Sequence, residues 1–167
     1  MPILPKERDP RLITVRRGGS LTDEHHRLLA DWALRCAEHV LPLFEAARPD
    51  DPRPRDAIEL GRRWIRGEVR MGEAHRMAFT ANAAGRDLPD APRFAALAAG
   101  QAVAVAHVAA HDLGAAAYAI RAAGAADAGA GRAERDWQRA QLPAEVRALV
   151  LEDQRNRSAI CWHAFDD

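Results

Sequence analysis

The chain has 167 residues, with 24 Lys and Arg against 24 Asp and Glu, a formal net charge of +0 and 48% hydrophobic residues. That length suits one domain with a real core, and the balanced charge excludes the overall basic footprint of a general nucleic-acid binder. Cys36 and Cys161 are too few for a disulfide scaffold. The opening MPILPKERDP lacks the apolar core of a signal peptide, so a cytoplasmic protein with reduced thiols is expected.

In chain order, Met1–Pro10 reads as irregular, because Pro2, Pro5 and Pro10 block helix. Leu12–Arg16 (LITVR) is β-branched and suits a short extended segment ended by Gly18-Gly19. It has no strand partner elsewhere, so residues 1–20 are expected to form an arm and not part of a sheet. Thr22 is a good N-cap, with Asp23 and Glu24 at the positive helix end. From Asp23 to Ala47, Leu29, Trp32, Ala33, Cys36, Val40, Leu43 and Phe44 recur at helical spacing, which predicts an amphipathic helix. Pro42 predicts a kink or an early stop near Leu41. After the loop Arg48–Pro54, a second helix opens at Pro54 and closes at Gly67, with Ala57, Ile58, Gly61, Trp64 and Ile65 buried. Trp32 and Trp64 are both predicted core residues. A third helix over Arg70–Ala84 stops at Gly85. The arginines Arg62, Arg63, Arg66 and Arg70 can grip phosphate, but Glu59, Glu68 and Glu73 lie among them, and a self-paired solvated face is the expected use.

The run Arg93–Ala123 is dominated by alanine, the best helix former, and has no polar face, which predicts a buried central helix. As one helix it would run to roughly 45 Å. On it Leu97, Gly100, Ala104, His107, His111, Gly114 and Tyr118 share one side. Two imidazoles four residues apart can share a metal ion if further ligands exist, but HExxH and the ExxH pattern of di-iron bundles are absent. The expected role is instead a hydrogen-bonded polar seam of His107, His111 and Tyr118, partnered by Asp31, Glu38, Asp56 or Arg63 from the first two helices. No metal and no cofactor is expected. The run is long enough to span a bilayer, yet Gln101, His107, His111 and Asp112 interrupt it, so no membrane span is expected.

Gly124–Gly131 reads as a mobile connection or a frayed helix start. Glu134–Gln141 and Ala144–Asn156 read as two further helices. The tail Arg157–Asp167 carries Ile160, Trp162 and Phe165, which are too apolar to stay loose and so dock or meet a partner. These elements predict an all-α fold: a single domain over residues 1–167, built as a bundle of about six helices around the alanine-rich one. No Gly-rich phosphate loop follows a strand, no GxSxG elbow exists, and Cys36 lies on an apolar stripe where thiols are usually inert.

Four stretches together resemble the immunity proteins of bacterial polymorphic-toxin systems, the immunity-five-like domain. They are Ile13–Phe44 (ITVRRGGSLTDEHHRLLADWALRCAEHVLPLF), Arg53–Glu73 (RPRDAIELGRRWIRGEVRMGE), His107–Ala122 (HVAAHDLGAAAYAIRA) and Glu134–Pro143 (ERDWQRAQLP). The resemblance implies a small helical protein that binds and neutralises a cognate protein toxin, and it brings no catalytic residues. The competing readings are a small enzyme or metal- or small-molecule-binding protein using the His107, His111 and Tyr118 face, and a helical bundle that forms a homodimer. A nucleic-acid partner is not expected.

Overall fold

The computed structural model describes residues 3–167. Among them the chain forms seven α-helices: α1 Asp23–Ala47, α2 Arg53–Ile65, α3 Met71–Ala84, α4 Asp90–Ala104, α5 Asp112–Ala126, α6 Ala130–Ala140 and α7 Ala144–Arg157. The fold is all-α. α4 and α5 are the innermost elements: α4 packs against α1, α2, α3 and α5, and α5 against α1, α4 and α6. The buried side chains form a hydrophobic cluster that reaches from Ile3 to Phe165.

The alanine-rich run is buried as its composition requires, but it is two helices and not one. It breaks after Ala104, turns through a 3₁₀ segment at Ala109–His111, and restarts at Asp112. Folded back, the two halves lie antiparallel: Gln101 faces Gly114, while Phe94 near the start of α4 meets Tyr118 further along α5. A helix of 20 residues already spans the width of a small domain, so an unbroken rod would have carried much apolar surface into water. Glycine allows the close approach. A Cβ on Gly100 would stand 2.0 Å from Asn82 Oδ1 and 3.0 Å from the Ala78 carbonyl, and one on Gly114 would stand 2.4 Å from Gln101 Oε1.

The break frees backbone carbonyls inside the protein, and buried carbonyls need donors. Three arrive from distant parts of the chain. His26 Nε2 donates to Val105 O at 2.6 Å, Arg17 Nη1 to His107 O at 3.3 Å, and Arg157 Nη2 to Ala110 O at 2.8 Å. No Pro or Gly marks the break; these long-range donors make it affordable.

Other expectations are corrected by packing. α1 runs through Pro42 to Ala47 without stopping. Leu12–Arg16 is extended only at Ile13 and Thr14: the arm makes two 3₁₀ turns, Pro10–Leu12 and Val15–Arg17, with an isolated bridge between Thr14 and Leu21. Trp32 is fully buried and its indole donates to Gln138 O at 2.8 Å, whereas Trp64 is only half-buried. α5 runs on to Ala126 and α6 begins at Ala130, so little of Gly124–Gly131 is left as a connection. The tail docks, with Cys161 and Phe165 buried and Trp162 packed on the core.

Candidate functional site

The hairpin connection between α4 and α5 floors an open cavity of about 440 Å³. The Pro-rich arm gives Arg8, Leu12, Arg16 and Arg17; α1 gives His26, the end of α2 gives Trp64, and Arg70 and Met71 come from the start of α3. Ala106–Ala109 of the connection complete it. Its lining holds four arginines and no carboxylate, in a chain whose formal charges cancel. Of the four, Arg16 alone makes an ion pair among the described residues, to Asp23 at 2.9 Å on the exposed side.

Histidines gather at the same place. His26 is buried, its ring edge-on to Trp64 at 4.9 Å. Burial pushes its basicity below the ordinary imidazole value, and the neutral ring keeps Nε2–H to donate to Val105 O. His107 lies in the connection, its ring 4.1 Å from His75 and its Nδ1 3.2 Å from Met71 Sδ. Burial, then the charges of His75, Arg17 and Arg8, lower its pKa as well.

The seam expected from the sequence is not assembled. His107, His111 and Tyr118 share no helix face, because the helix that would have aligned them is broken. His111 ends the 3₁₀ turn and donates from Nδ1 to Gln101 Oε1 at 2.7 Å; burial above all brings its pKa down to about 4. Tyr118 sits about two turns further on, between Phe94 at 5.9 Å and Trp162 at 5.0 Å. The four partners named from sequence are engaged or placed elsewhere. Asp31 pairs with Arg35 at 2.9 Å, Glu38 with Arg62, and Arg63 with Glu68 at 3.6 Å. Asp56 is exposed in the first turn of α2. Among the phosphate-gripping candidates, Arg62 and Arg66 pair with glutamates as Arg63 does; Arg70 instead lines the cavity.

Two polar features escaped the sequence reading. Asp112, fully buried at the start of α5, accepts from Leu113 N at 2.7 Å and lies 3.9 Å from Arg157, which bonds Asp153 at 2.8 Å. Burial and the Asp153 charge push Asp112 up to about 7 against the pull of Arg157. On the other side His39, stacked on Trp137 at 3.6 Å, donates from Nδ1 to the nearly buried Glu134 at 2.6 Å. Glu134 also accepts from Gln138 at 3.0 Å, so the pair ties α1 to α6. Cys36, three residues before His39, is fully buried and its thiol is pushed well up by burial, while Cys161 is pushed to about 11; both are packing thiols, not nucleophiles.

Among the described residues no cluster of three or more His, Cys, Asp or Glu can hold a metal ion, and no helix is long and apolar enough to cross a membrane. Fold and site thus define an all-α protein whose central hairpin presents a basic, partly apolar cavity. The chain belongs to the family described as "Imm-5 like putative immunity protein", whose model matches residues 19–145. The match spans α1 to α6 and takes in His26, Trp64, Arg70 and the hairpin connection, while Arg8, Arg16 and Arg17 precede it. No curated protein and no solved structure gives a significant match.

Proposed function

We propose that this chain binds and neutralises a cognate protein toxin by covering part of the toxin's surface, and performs no chemistry of its own. The family match over residues 19–145 carries this reading. The site supports it: the cavity offers arginines and apolar surface for recognition, the two thiols are buried, and His26, His39 and His111 are each tied to an internal partner. The test is co-expression with a candidate toxin gene drawn from the neighbourhood of the gene for this chain. Growth restored by the folded chain is the expected result. Unrelieved toxicity, with the chain soluble and helical, contradicts it.

A second reading draws on the size of the cavity. About 440 Å³ falls in the range of small-molecule sites, and the arginines favour an organic anion. Its mark is tight binding of a free dicarboxylate, measured by calorimetry, with no dependence on any protein partner.

A further inference from the structure

We propose that the hairpin cavity, together with the α3 stripe Met71–His75–Phe79, exposed at Met71 and Phe79, is the docking face for an acidic segment of the partner toxin, one that carries an apolar residue beside its carboxylates. This rests on the toxin-binding reading and deepens it by naming the surface and the chemistry of what it receives.

Charge complementarity is the first argument. Arg8, Arg16, Arg17 and Arg70 are all exposed, and the cavity they line has no carboxylate. Guanidinium groups recognise carboxylates through paired, directional hydrogen bonds, and here the chain itself supplies none inside the lining. The second argument is apolar. The large hydrophobic side chains left exposed among the described residues are Val15 at 61%, Met71 at 37% and Phe79 at 65%. Val15 lies in the arm between the lining residues Thr14 and Arg16, and Met71 lines the cavity directly. Met71, His75 and Phe79 follow one another at four-residue steps along α3, a stripe of about 12 Å. His75 joins it to the cavity through ring contacts with Phe79 at 5.3 Å and His107 at 4.1 Å. A free small anion makes no use of a phenylalanine outside the cavity; a peptide chain does, since aromatic anchors dominate protein interfaces.

The molecule contains a worked instance of the same chemistry. A second cavity of about 470 Å³ is walled by Arg139, Arg147 and Arg155 together with Phe165, Asp166 and Asp167 of the tail. Phe165 is buried, Arg139 donates to Phe165 O at 2.7 Å and to Asp167 at 2.9 Å, and Arg135 bonds Asp166 O. Arginine of this chain therefore already bonds an aromatic residue followed by aspartate along a cavity wall, and the hairpin cavity presents arginines with no such segment in its lining.

The probe is a synthetic peptide with one phenylalanine among aspartates, against the same peptide with lysines, glutarate, and an oligothymidylate, each titrated into the full-length protein. The acidic peptide alone is expected to bind, shifting the His107 and Trp64 signals in NMR spectra. Arg8→Glu with Arg70→Glu weakens it at least about tenfold, and Phe79→Ser by a smaller factor. Arg155→Glu, in the second cavity, leaves it unchanged. Binding that survives the double variant, or falls equally with Arg155→Glu, overturns the assignment. So does equal affinity for glutarate, which marks a small-anion site, or for the oligothymidylate, which marks nucleic acid. Unaltered circular dichroism controls for folding. In co-expression, protection by a double variant that no longer binds peptide sinks the docking face and leaves the toxin reading intact. Failure of the wild type to protect sinks the toxin reading, while the peptide titration still judges the cavity.

Discussion

Two arginine-lined cavities of similar size, about 440 and 470 Å³, lie on this protein and differ in whether carboxylates share the lining. In the C-terminal one Arg139 is already bonded to Asp167 and to Phe165 O, and the Arg139 hydrogen bond holds the Asp167 carboxyl below its usual range. At the hairpin connection the chain supplies no carboxylate to the lining. Arginine content alone therefore says little about function. Arginines whose acceptors come from the same chain, Arg17 at the hairpin cavity among them, hold the fold together, and those with no acceptor among the described residues, Arg8 and Arg70, are available to a partner. Substitutions at the two kinds should separate into losses of stability and losses of binding.

The largest loss is expected at Arg157, which is buried and whose acceptors are all internal: Asp153, Ala110 O and Ile3 O. Arg157→Met leaves Asp112 and Asp153 without their cation, and unfolding in denaturant should show a cost of about 3–5 kcal/mol.

Asp112 follows, with a pH signature. Its folded carboxyl, raised to about 7 from an ordinary 3.8, binds a proton more tightly than the unfolded one. Its contribution to stability is thus fully present below about pH 4 and is lost as pH rises towards 7. Asp112→Asn should match wild type near pH 4 and exceed it by roughly 2–4 kcal/mol at pH 8. His111, held down to about 4, acts in the opposite direction: its contribution is present above pH 6.5 and lost as pH falls. The difference between variant and wild type isolates Asp112. A difference that does not change with pH contradicts the assignment.

Arg139→Ala removes the bonds to the tail and to Gln154 and should cost about 1–2 kcal/mol, visible in thermal melts. Arg8→Ala and Arg70→Ala should each stay within about 0.5 kcal/mol of wild type. A large loss at either would place it with the structural arginines and break the division.

Much of the architecture was legible. Apolar periodicity predicts α1, and Thr22 caps it, accepting from His25 N at 3.2 Å. Gly67 ends the turn after α2 in a left-handed conformation, and the lack of a polar face on Arg93–Ala123 correctly predicts burial. The break at Ala104 was not legible, because its donors are Arg17, His26 and Arg157, distant in sequence. The expected His107, His111 and Tyr118 seam failed with the helix that aligned it. Trp64 misled for a related reason: its stripe on α2 faces the core, yet the ring lies where the cavity opens. The cavity itself had one faint signal, the density of arginine in the Pro-rich arm (RDPRLITVRR). Nothing local showed that the arm would coil back over the hairpin connection.

The most direct measurement is hydrogen–deuterium exchange on the chain alone and bound to the toxin proposed as its partner. Docking at the hairpin cavity predicts slowed exchange in residues 8–17 and 70–79, with residues 139–167 unchanged. Slowed exchange around the C-terminal cavity, with the arm and the start of α3 exchanging as freely as before, would contradict the account.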